Sequence, residues 1–598
     1  MRKNNLQDNI FFIVTIAVAC VYSFMVLLDI GFVGDNSYNS LIKGVLLHEN
    51  ISIFQKIINE INGWTFSSGR IFILNNIIIY GLFYLTQNPL IIHTLNIIIL
   101  FLNIYILFLI IQNITNQSYY GLLVSIITLT LIQFRYWHDP ILIFPSHLLP
   151  IVFLLFLLSV FYFLKYLQDG SGKSKKISVI YFVLSLVTYE VALPLVLIFP
   201  ILAFKNYSSK IIHNLYEKCN YHLNASLIYL IFFFYLKFIH IPYIVKSNPY
   251  PTFANFNFLD LINALIIQLS SSLPLSYLMS PITNFNIHFF YYDYLGLVLI
   301  SSILFYILKK IKFQKINISL VAIGFYLLLI PAFIAAISGH QKELLDVGYG
   351  FGYLPVFIQY FGFSIIFSQL FFNKNNFLIK SNIFNFFISL AISSIFVVNV
   401  SHNRSVAMEG NLISLVPTNL TKSAFQSGIF DDIPNDNNYL FRQMNYTSDY
   451  FWSYSTILNK KIRTCELAKL NQKEIDGTNS YIDCIDLLID KINLNKTEVT
   501  DENIIYDITD QNALISTYYL DKNLLNNGVY IIGELSHVSQ NLQNPEDVNF
   551  YVKKINTFFQ KTNTLKVKEF NEPYHFNKIL NKENVGINEI EFNNELLN

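Results

Sequence analysis

The first polar loop of the chain contains an acid that could do chemistry. Asp35 follows an apolar run from about Ile10 to Val33, and amide and hydroxyl side chains follow it in the segment 34–39. A carboxylate in this setting could act as a general base or bind a hard divalent cation such as Mg²⁺ or Mn²⁺. The alternative is structural, because Asp is a good helix N-cap and the stretch from Asp35 to Leu47 has a helical pattern.

Two arginines are candidates for holding a phosphate group. Arg70 follows Gly69 at the end of the same loop, and Arg135 opens the segment 135–140. A guanidinium fork can bond two phosphate oxygens at once. The alternatives are an Arg70 side chain that extends along the membrane interface and an interfacial aromatic belt around Arg135.

The segment 135–140 also carries a neighbouring His and Asp. His138 and Asp139 could form a general base with its orienting partner, or supply two ligands, and the aromatic side chains before them suit sugar stacking. The alternative is a capped turn within the aromatic belt.

Glu190 stands alone in the otherwise apolar run 177–204. An ionisable residue within a membrane segment indicates a functional site. It could act in catalysis, or it could be buried in an ion pair with Arg70 or another cation.

A late loop, 338–354, carries His340 and Lys342, which could bind a phosphate or a diphosphate. The glycines between 348 and 352 could allow a lid to move. The alternative is an ordinary solvated loop.

The composition shows which elements must position these residues. The 598 residues are 53% hydrophobic and 13% charged, which excludes a soluble globular protein because such proteins are about 25% charged. Residues 1–400 hold 22 Lys and Arg against 13 Asp and Glu, and residues 401–598 hold 18 against 26. We therefore predict a multi-spanning membrane domain, 1–400, and a soluble domain, 401–598. The net charge of +1 gives no reason to expect nucleic acid as a partner.

Ten apolar runs are long enough to cross a bilayer, and one of them, 177–204, is broken at Glu190 and Pro194 and is expected to form two short spans. About eleven spans result, which predicts a polytopic α-helical membrane protein. Two further runs, 71–86 and 258–279, carry polar stripes and are expected to lie in the interface or to re-enter. Basic loops indicate a cytoplasmic N-terminus. The tail is then expected outside the cytoplasm, in the periplasm of a cell with an inner membrane.

The sequence pattern of the tail predicts a mixed α/β domain. We predict strands at 504–507, 528–533 and 564–570, and helices at 483–493 and 546–560. Cys465 and Cys484 could form a disulfide if the tail lies in an oxidising compartment, and the alternative is two unpaired thiols.

The order of these features resembles that of membrane glycosyltransferases of the C-type fold (GT-C), which include protein O-mannosyltransferases and aminoarabinose transferases. The resemblance covers roughly residues 10–400. It rests on an ordered set of short motifs: Asp35, Gly69-Arg70, Asn88-Pro89-x-x-x-His93-x-x-Asn96, His138-Asp139-Pro140 and Tyr189-Glu190-x-x-x-Pro194. The pattern departs from the family where Arg-Pro is Arg70-Ile71 and where the doubled acid is Asp35-Asn36.

The resemblance implies an enzyme that takes a sugar from a polyprenyl-phosphate carrier and passes it to a glycan, lipid or protein acceptor on the outer face. Asp35 would be the base or metal ligand. Arg70 and Lys342 would hold the carrier phosphate, and the acidic tail would bind the acceptor or act as a lid.

Two other functions remain open from the residues alone. A transporter or flippase for a lipid-linked glycan would need ionisable groups along a path through the spans. A polymerase or ligase of lipid-linked polysaccharide would use outer-loop Arg and His residues as well.

Overall fold

The computed structural model shows an α-helical bundle followed by short strands. The structure describes residues 6–135, 139–204, 211–245, 257–280, 289–311, 315–339, 341–350, 352–371 and 381–426, together with residues 456 and 459 and eight strands of the tail.

Seventeen α-helices lie within the described residues. Their bounds are α1 Leu6–Phe24, α2 Asp35–Asn39, α3 Ile42–Glu49, α4 Ile53–Asn62, α5 Ile73–Leu85, α6 Pro89–Thr115, α7 Ser118–Leu131, α8 Leu149–Asp169, α9 Gly172–Thr188, α10 Ile198–Phe204, α11 Ile211–Tyr235, α12 Phe258–Ser270, α13 Tyr291–Lys310, α14 Ile318–Ile337, α15 Gln341–Val347, α16 Val356–Phe371 and α17 Asn382–Gln426.

Short 3₁₀ and π-helical segments join several of these helices. Met25–Asp29, Glu190–Ala192, Pro194–Leu197 and Ser276–Met279 are 3₁₀ turns, and Gly63–Ser67 and Leu236–Val245 are π-helical.

The chain is a polytopic α-helical membrane protein. Of the described helices, seven are long and apolar enough to cross a bilayer: Ile10–Asp29, Pro89–Thr115, Leu149–Asp169, Tyr216–Val245, Tyr291–Lys310, Ile318–Ile337 and Asn382–Met408. Shorter apolar helices account for other predicted spans, so the number of crossings, expected to be about eleven, stays a prediction.

The two runs with polar stripes form short helices. Both α5 and α12 have 13 residues, which at about 1.5 Å per residue is shorter than the hydrocarbon core of a bilayer. Interfacial or re-entrant placement is therefore still the expectation for them.

Close backbone approach holds part of the bundle together. A Cβ added to Gly362 of α16 would lie 2.6 Å from the Gly324 carbonyl oxygen of α14. Glycine therefore lets these two helices touch, as small residues do in membrane bundles. Nearby, the Thr128 hydroxyl of α7 bonds the Ser364 hydroxyl of α16 at 2.7 Å.

The chain divides into two compact units. One consists of Met1–Asp29, Ile57–Leu82 and Asn88–Ala407, and the other of Ile30–Lys56, Phe83–Gln87 and Met408–Asn598. The expected domain boundary after residue 400 falls inside α17, which continues unbroken to Gln426. That boundary stays a prediction.

The described strands of the tail form three small sheets. β1 Tyr439–Arg442 pairs in parallel with β2 Arg463–Glu466 and β5 Val529–Ile531, and β3 Asn503–Tyr506 pairs antiparallel with β4 Tyr518–Asp521. β7 Lys566–Tyr574 lies between β6 Phe550–Asn556 and β8 Asn588–Glu591, antiparallel to both.

Three of these strands lie at the predicted positions, but the predicted helix 546–560 is wrong. Residues 550–556 form β6, because Phe550, Val552 and Ile555 belong to residue types that favour strands and because β7 offers a partner. The predicted helix 483–493 lies outside the described residues.

Candidate functional site

Arg70 and Glu190 form an ion pair, and each of the two residues lies at a point where the helical structure is interrupted. The Arg70 Nη2 atom lies 2.6 Å from Glu190 Oε1, and Arg70 Nε donates to the same oxygen at 2.8 Å. The side chains are 16% and 27% exposed, so the pair is partly accessible. The sequence left open a buried pair of Glu190 with Arg70 or another cation; a pairing with Arg70 is present, and a catalytic role for Glu190 stays a prediction.

Local backbone geometry explains how the two residues reach each other. Helix α9 stops at Thr188 and Tyr189 is extended, so Glu190 opens a 3₁₀ turn rather than continuing the helix. Arg70 comes after Gly69, whose φ of 73° is one that residues with a Cβ rarely adopt. The Arg70 amide donates to the Trp64 carbonyl at 2.8 Å, which folds the chain back.

Aromatic rings surround the Arg70 guanidinium. Its Cζ atom lies 4.2 Å from the Phe72 ring centroid, 5.5 Å from that of Tyr189 and 5.9 Å from that of Trp64. Burial is the largest single effect and disfavours the charged form of Arg70, but the Glu190 carboxylate and Tyr189 together outweigh it and raise the pKa of Arg70. The guanidinium is therefore held charged in an apolar setting.

Lys237 adds a second cation to this cluster. Its Nζ donates to the Ser68 carbonyl at 2.8 Å, its side chain is buried, and it lies within electrostatic range of Arg70 and Glu190. Gly69 makes this approach possible, since an added Cβ there would lie 2.9 Å from the Lys237 Cδ atom. Arg70, Lys237 and Glu190 together carry one net positive charge.

Sequence reasoning missed Lys237, although a signal was present. It is a single cation in the apolar run 224–241, and the rule that singled out Glu190 applies equally to a lysine at membrane depth. The π-helical winding of Leu236–Val245 is a further marker, because π-helical turns are frequent at functional sites.

Three buried polar atoms of the ion pair and of the segments next to it have no hydrogen-bond partner among the described residues. They are Glu190 Oε2, Thr65 Oγ1 and Tyr229 Oη. Tyr229, on α11, lies within electrostatic range of Glu190 and Arg70. Thr65 follows Trp64 in the π-helical turn beside Arg70. The site therefore has unused hydrogen-bonding capacity.

Asp139 is engaged by backbone amides. Its Oδ1 atom accepts from Ile141 and Leu142 at 2.7 and 2.8 Å, and its Oδ2 atom accepts from the Arg135 amide at 2.8 Å. Burial raises the pKa of Asp139, although these three hydrogen bonds act in the opposite direction. The geometry is that of a capped turn, and a catalytic role for Asp139 stays a prediction.

The Arg135 side chain lies in the interior of the helical bundle. Its Nη2 atom donates to the Ser271 carbonyl at 3.0 Å and to the Tyr360 hydroxyl at 2.9 Å. Among the described residues, its Nε and Nη1 atoms have no hydrogen-bond partner. Gly352, with φ of 65°, packs directly against this guanidinium.

Asp35 is the first residue of α2 and is exposed, and the N-cap position is taken by Gly34 with φ of 57°. The predicted helix from Asp35 to Leu47 is interrupted between Asn39 and Ile42. Nowhere in the described part of the chain do three or more His, Cys, Asp or Glu side chains form a group that could hold a metal. The base and metal roles of Asp35 stay predictions.

The remaining candidates are less informative. Lys342 is exposed on α15. His138, His340 and Cys484 lie outside the described residues, so the disulfide with Cys465 is untested.

No protein-family model matches the chain, and no curated protein does. Among solved structures, it is similar to the crystal structure of ArnT from Cupriavidus metallidurans bound to undecaprenyl phosphate, with a TM-score of 0.38, 11% identity, and 81% of this chain and 88% of that chain covered. The apo form of ArnT gives a TM-score of 0.30 and 10% identity over 81% and 89% of the two chains.

Proposed function

We propose that this protein is an integral membrane glycosyltransferase that moves a sugar from a polyprenyl-phosphate donor to a glycan, lipid or protein acceptor. The observation that carries the proposal is the cluster of Arg70, Lys237 and Glu190, in which two cations and one carboxylate meet beside aromatic rings.

The charge of the cluster suits a phosphate leaving group. Glu190 neutralises one of the two cations, so the cluster keeps one positive charge in an environment where charge is poorly screened. When the bond between the sugar and the phosphate breaks, negative charge builds on the phosphate oxygen. A fixed cation stabilises that charge without reorganising. Lys237 supplies it as a point charge, and Arg70 supplies a planar fork.

Asp35 is the proposed general base. The acceptor hydroxyl would lose its proton to the carboxylate while its oxygen attacks the anomeric carbon, and the carrier phosphate would leave. The neighbouring amide and hydroxyl groups could add a Mg²⁺ or Mn²⁺ ligand set. The ordered motifs that resemble GT-C enzymes support this assignment.

The proposal includes an orientation. The N-terminus would lie in the cytoplasm and the tail in the periplasm, because the basic loops are expected inside. The lipid donor would reach the cluster from within the bilayer, and the acceptor would arrive from the outer aqueous face.

Binding of the carrier tests the proposal directly. Full-length protein in lipid nanodiscs is titrated with undecaprenyl phosphate, with dioleoyl phosphatidic acid as the lipid-phosphate control. We expect preferential binding of undecaprenyl phosphate, and Lys237→Met should weaken it about tenfold because a charge-assisted contact is lost. Lys237→Arg should restore most of the affinity, which separates lost charge from misfolding.

Lys310→Met is the matched control, since Lys310 is an exposed lysine at the end of α13. It should bind like the wild type. Equal binding of both lipids by the wild type, or unchanged affinity in Lys237→Met, would overturn the proposal.

A further inference from the structure

The ion pair contains one buried acceptor that a phosphate cannot satisfy. Glu190 Oε1 receives two Arg70 nitrogens, whereas Glu190 Oε2 is buried and receives no hydrogen bond within the described residues. An ionised carboxylate oxygen can only accept. A phosphate dianion has no donor to offer and would be repelled by the carboxylate. The group that meets this oxygen must therefore carry an N–H or O–H.

Two buried hydroxyls also lack a hydrogen-bond partner among the residues that the structure describes: that of Tyr229, which is within electrostatic range of Glu190, and that of Thr65, in the turn that precedes Arg70. Tyr229 is 6% exposed and Thr65 is 3% exposed, and in the described structure neither hydroxyl oxygen has a partner. Each hydroxyl can donate once and accept as well. Buried polar groups normally find a partner, so these three atoms, in a partly accessible ion pair and in the segments next to it, indicate a place for a polar ligand.

A neutral group with several hydroxyls meets these needs. A hydroxyl can donate to Glu190 Oε2 and can also exchange hydrogen bonds with Tyr229 or Thr65. A neutral group leaves the net positive charge of the cluster for the phosphate. The two ends of a sugar phosphodiester match this division: the sugar toward Glu190, Tyr229 and Thr65, and the phosphodiester toward Lys237.

We propose that Glu190, Tyr229 and Thr65 recognise the sugar of the donor lipid through its hydroxyl groups, which makes Tyr229 and Thr65 specificity-determining residues. This inference rests on the proposed function. Specificity follows because a site built to bond a hydroxyl leaves buried groups unpaired when that hydroxyl is absent.

Two substitutions that remove a hydroxyl and little else test the proposal. Tyr229→Phe and Thr65→Val are made in the full-length protein in nanodiscs. Binding is measured for undecaprenyl phosphate and for the same carrier bearing glucose, galactose or mannose. The wild type should bind at least one sugar-bearing form more tightly than the bare carrier. Each variant should lose about three- to tenfold of that affinity and keep its affinity for the bare carrier.

Two further variants serve as controls. Tyr216→Phe changes an exposed tyrosine of the same helix and should bind like the wild type. Thr65→Ser restores the hydroxyl and should recover the sugar-dependent affinity.

The outcomes separate this inference from the proposed function. The inference is overturned if no sugar adds affinity in the wild type, or if Tyr229→Phe and Thr65→Val keep the full sugar-dependent gain. If the wild type does not bind the bare carrier, the result contradicts the proposed function itself. Equal weakening of the bare and sugar-bearing carriers in both hydroxyl variants would show that they disturb the phosphate end, and it would also overturn the inference.

Discussion

Arg404 of α17 and Asp293 of α13 form a two-point ion pair inside the helical bundle. Arg404 Nη2 lies 2.9 Å from Asp293 Oδ1, and Arg404 Nη1 lies 3.1 Å from Asp293 Oδ2. The Tyr22 hydroxyl of α1 donates to Asp293 Oδ1 at 2.9 Å. The two charged side chains are 8% and 1% exposed, so one carboxylate joins three helices.

Breaking this pair from one side should destabilise the protein strongly. Arg404→Met leaves the Asp293 carboxylate buried without its cation, and we expect a loss of about 3–5 kcal/mol in the free energy of unfolding. Reversible unfolding in mixed micelles measures it. The double variant Arg404→Met, Asp293→Leu removes both charges and should recover most of the loss. A single variant that loses less than about 1 kcal/mol would show that the pair is weakly coupled to stability.

Gly350 should tolerate alanine worse than a glycine that has a similar backbone conformation but open space around it. Its φ is 82°, and an added Cβ would collide with the Ser276 carbonyl oxygen. A left-handed residue with a Cβ costs about 1–2 kcal/mol from backbone strain alone, so Gly350→Ala should cost more than that in unfolding free energy.

Two matched glycines separate strain from collision. Gly170 has φ of 67° with open space around it, and Gly172 has open space and no unusual φ. Gly170→Ala should cost about 1–2 kcal/mol, and Gly172→Ala should be close to neutral. If Gly350→Ala lowers the free energy of unfolding no more than Gly170→Ala does, the loop moves aside, and the collision with Ser276 adds nothing to the cost of backbone strain.

Asp35→Asn should abolish sugar transfer while leaving the protein inserted and able to bind the carrier. The amide keeps the size of the side chain but cannot take the acceptor proton. Transfer of radiolabelled sugar from the carrier in membranes with and without the gene measures activity, and carrier titration measures binding. Near wild-type transfer by Asp35→Asn would remove it as the base. Glu60→Gln, at another acid of the first polar loop, is the control and should remain active.

A pair of Glu190 with Arg70 or another cation was one of the two interpretations that the sequence left open, because both residues are conspicuous. Arg70 is the cation at the end of a polar loop, and Glu190 is a lone acid in an apolar run, so a buried pair was one of few ways to accommodate both. The helix breaks at Glu190 and Pro194 were also readable, since Pro removes a backbone donor.

Other features depend on contacts between distant parts of the chain. Asp293 and Arg404 are separated by 111 positions, and neither residue type indicates which of several cations or acids will pair with it. The error at 550–556 has a similar origin. Periodicity over 546–560 fits a helix, but pairing with β7 decides the outcome, and that pairing comes from outside the segment.

In the π-helical stretch Leu236–Val245, the number of residues per turn decides which side chains face the charged cluster. Each π-turn holds more residues than an α-turn, so the stretch is out of phase with α11 before it. Deleting one residue between Lys237 and Ile241 would turn the following side chains by about 100° relative to Lys237. Ile241, which packs against Gly69, would then point in another direction. Two related chains could therefore share all the charged residues and still differ in how the segment after Lys237 packs against Gly69, next to Arg70.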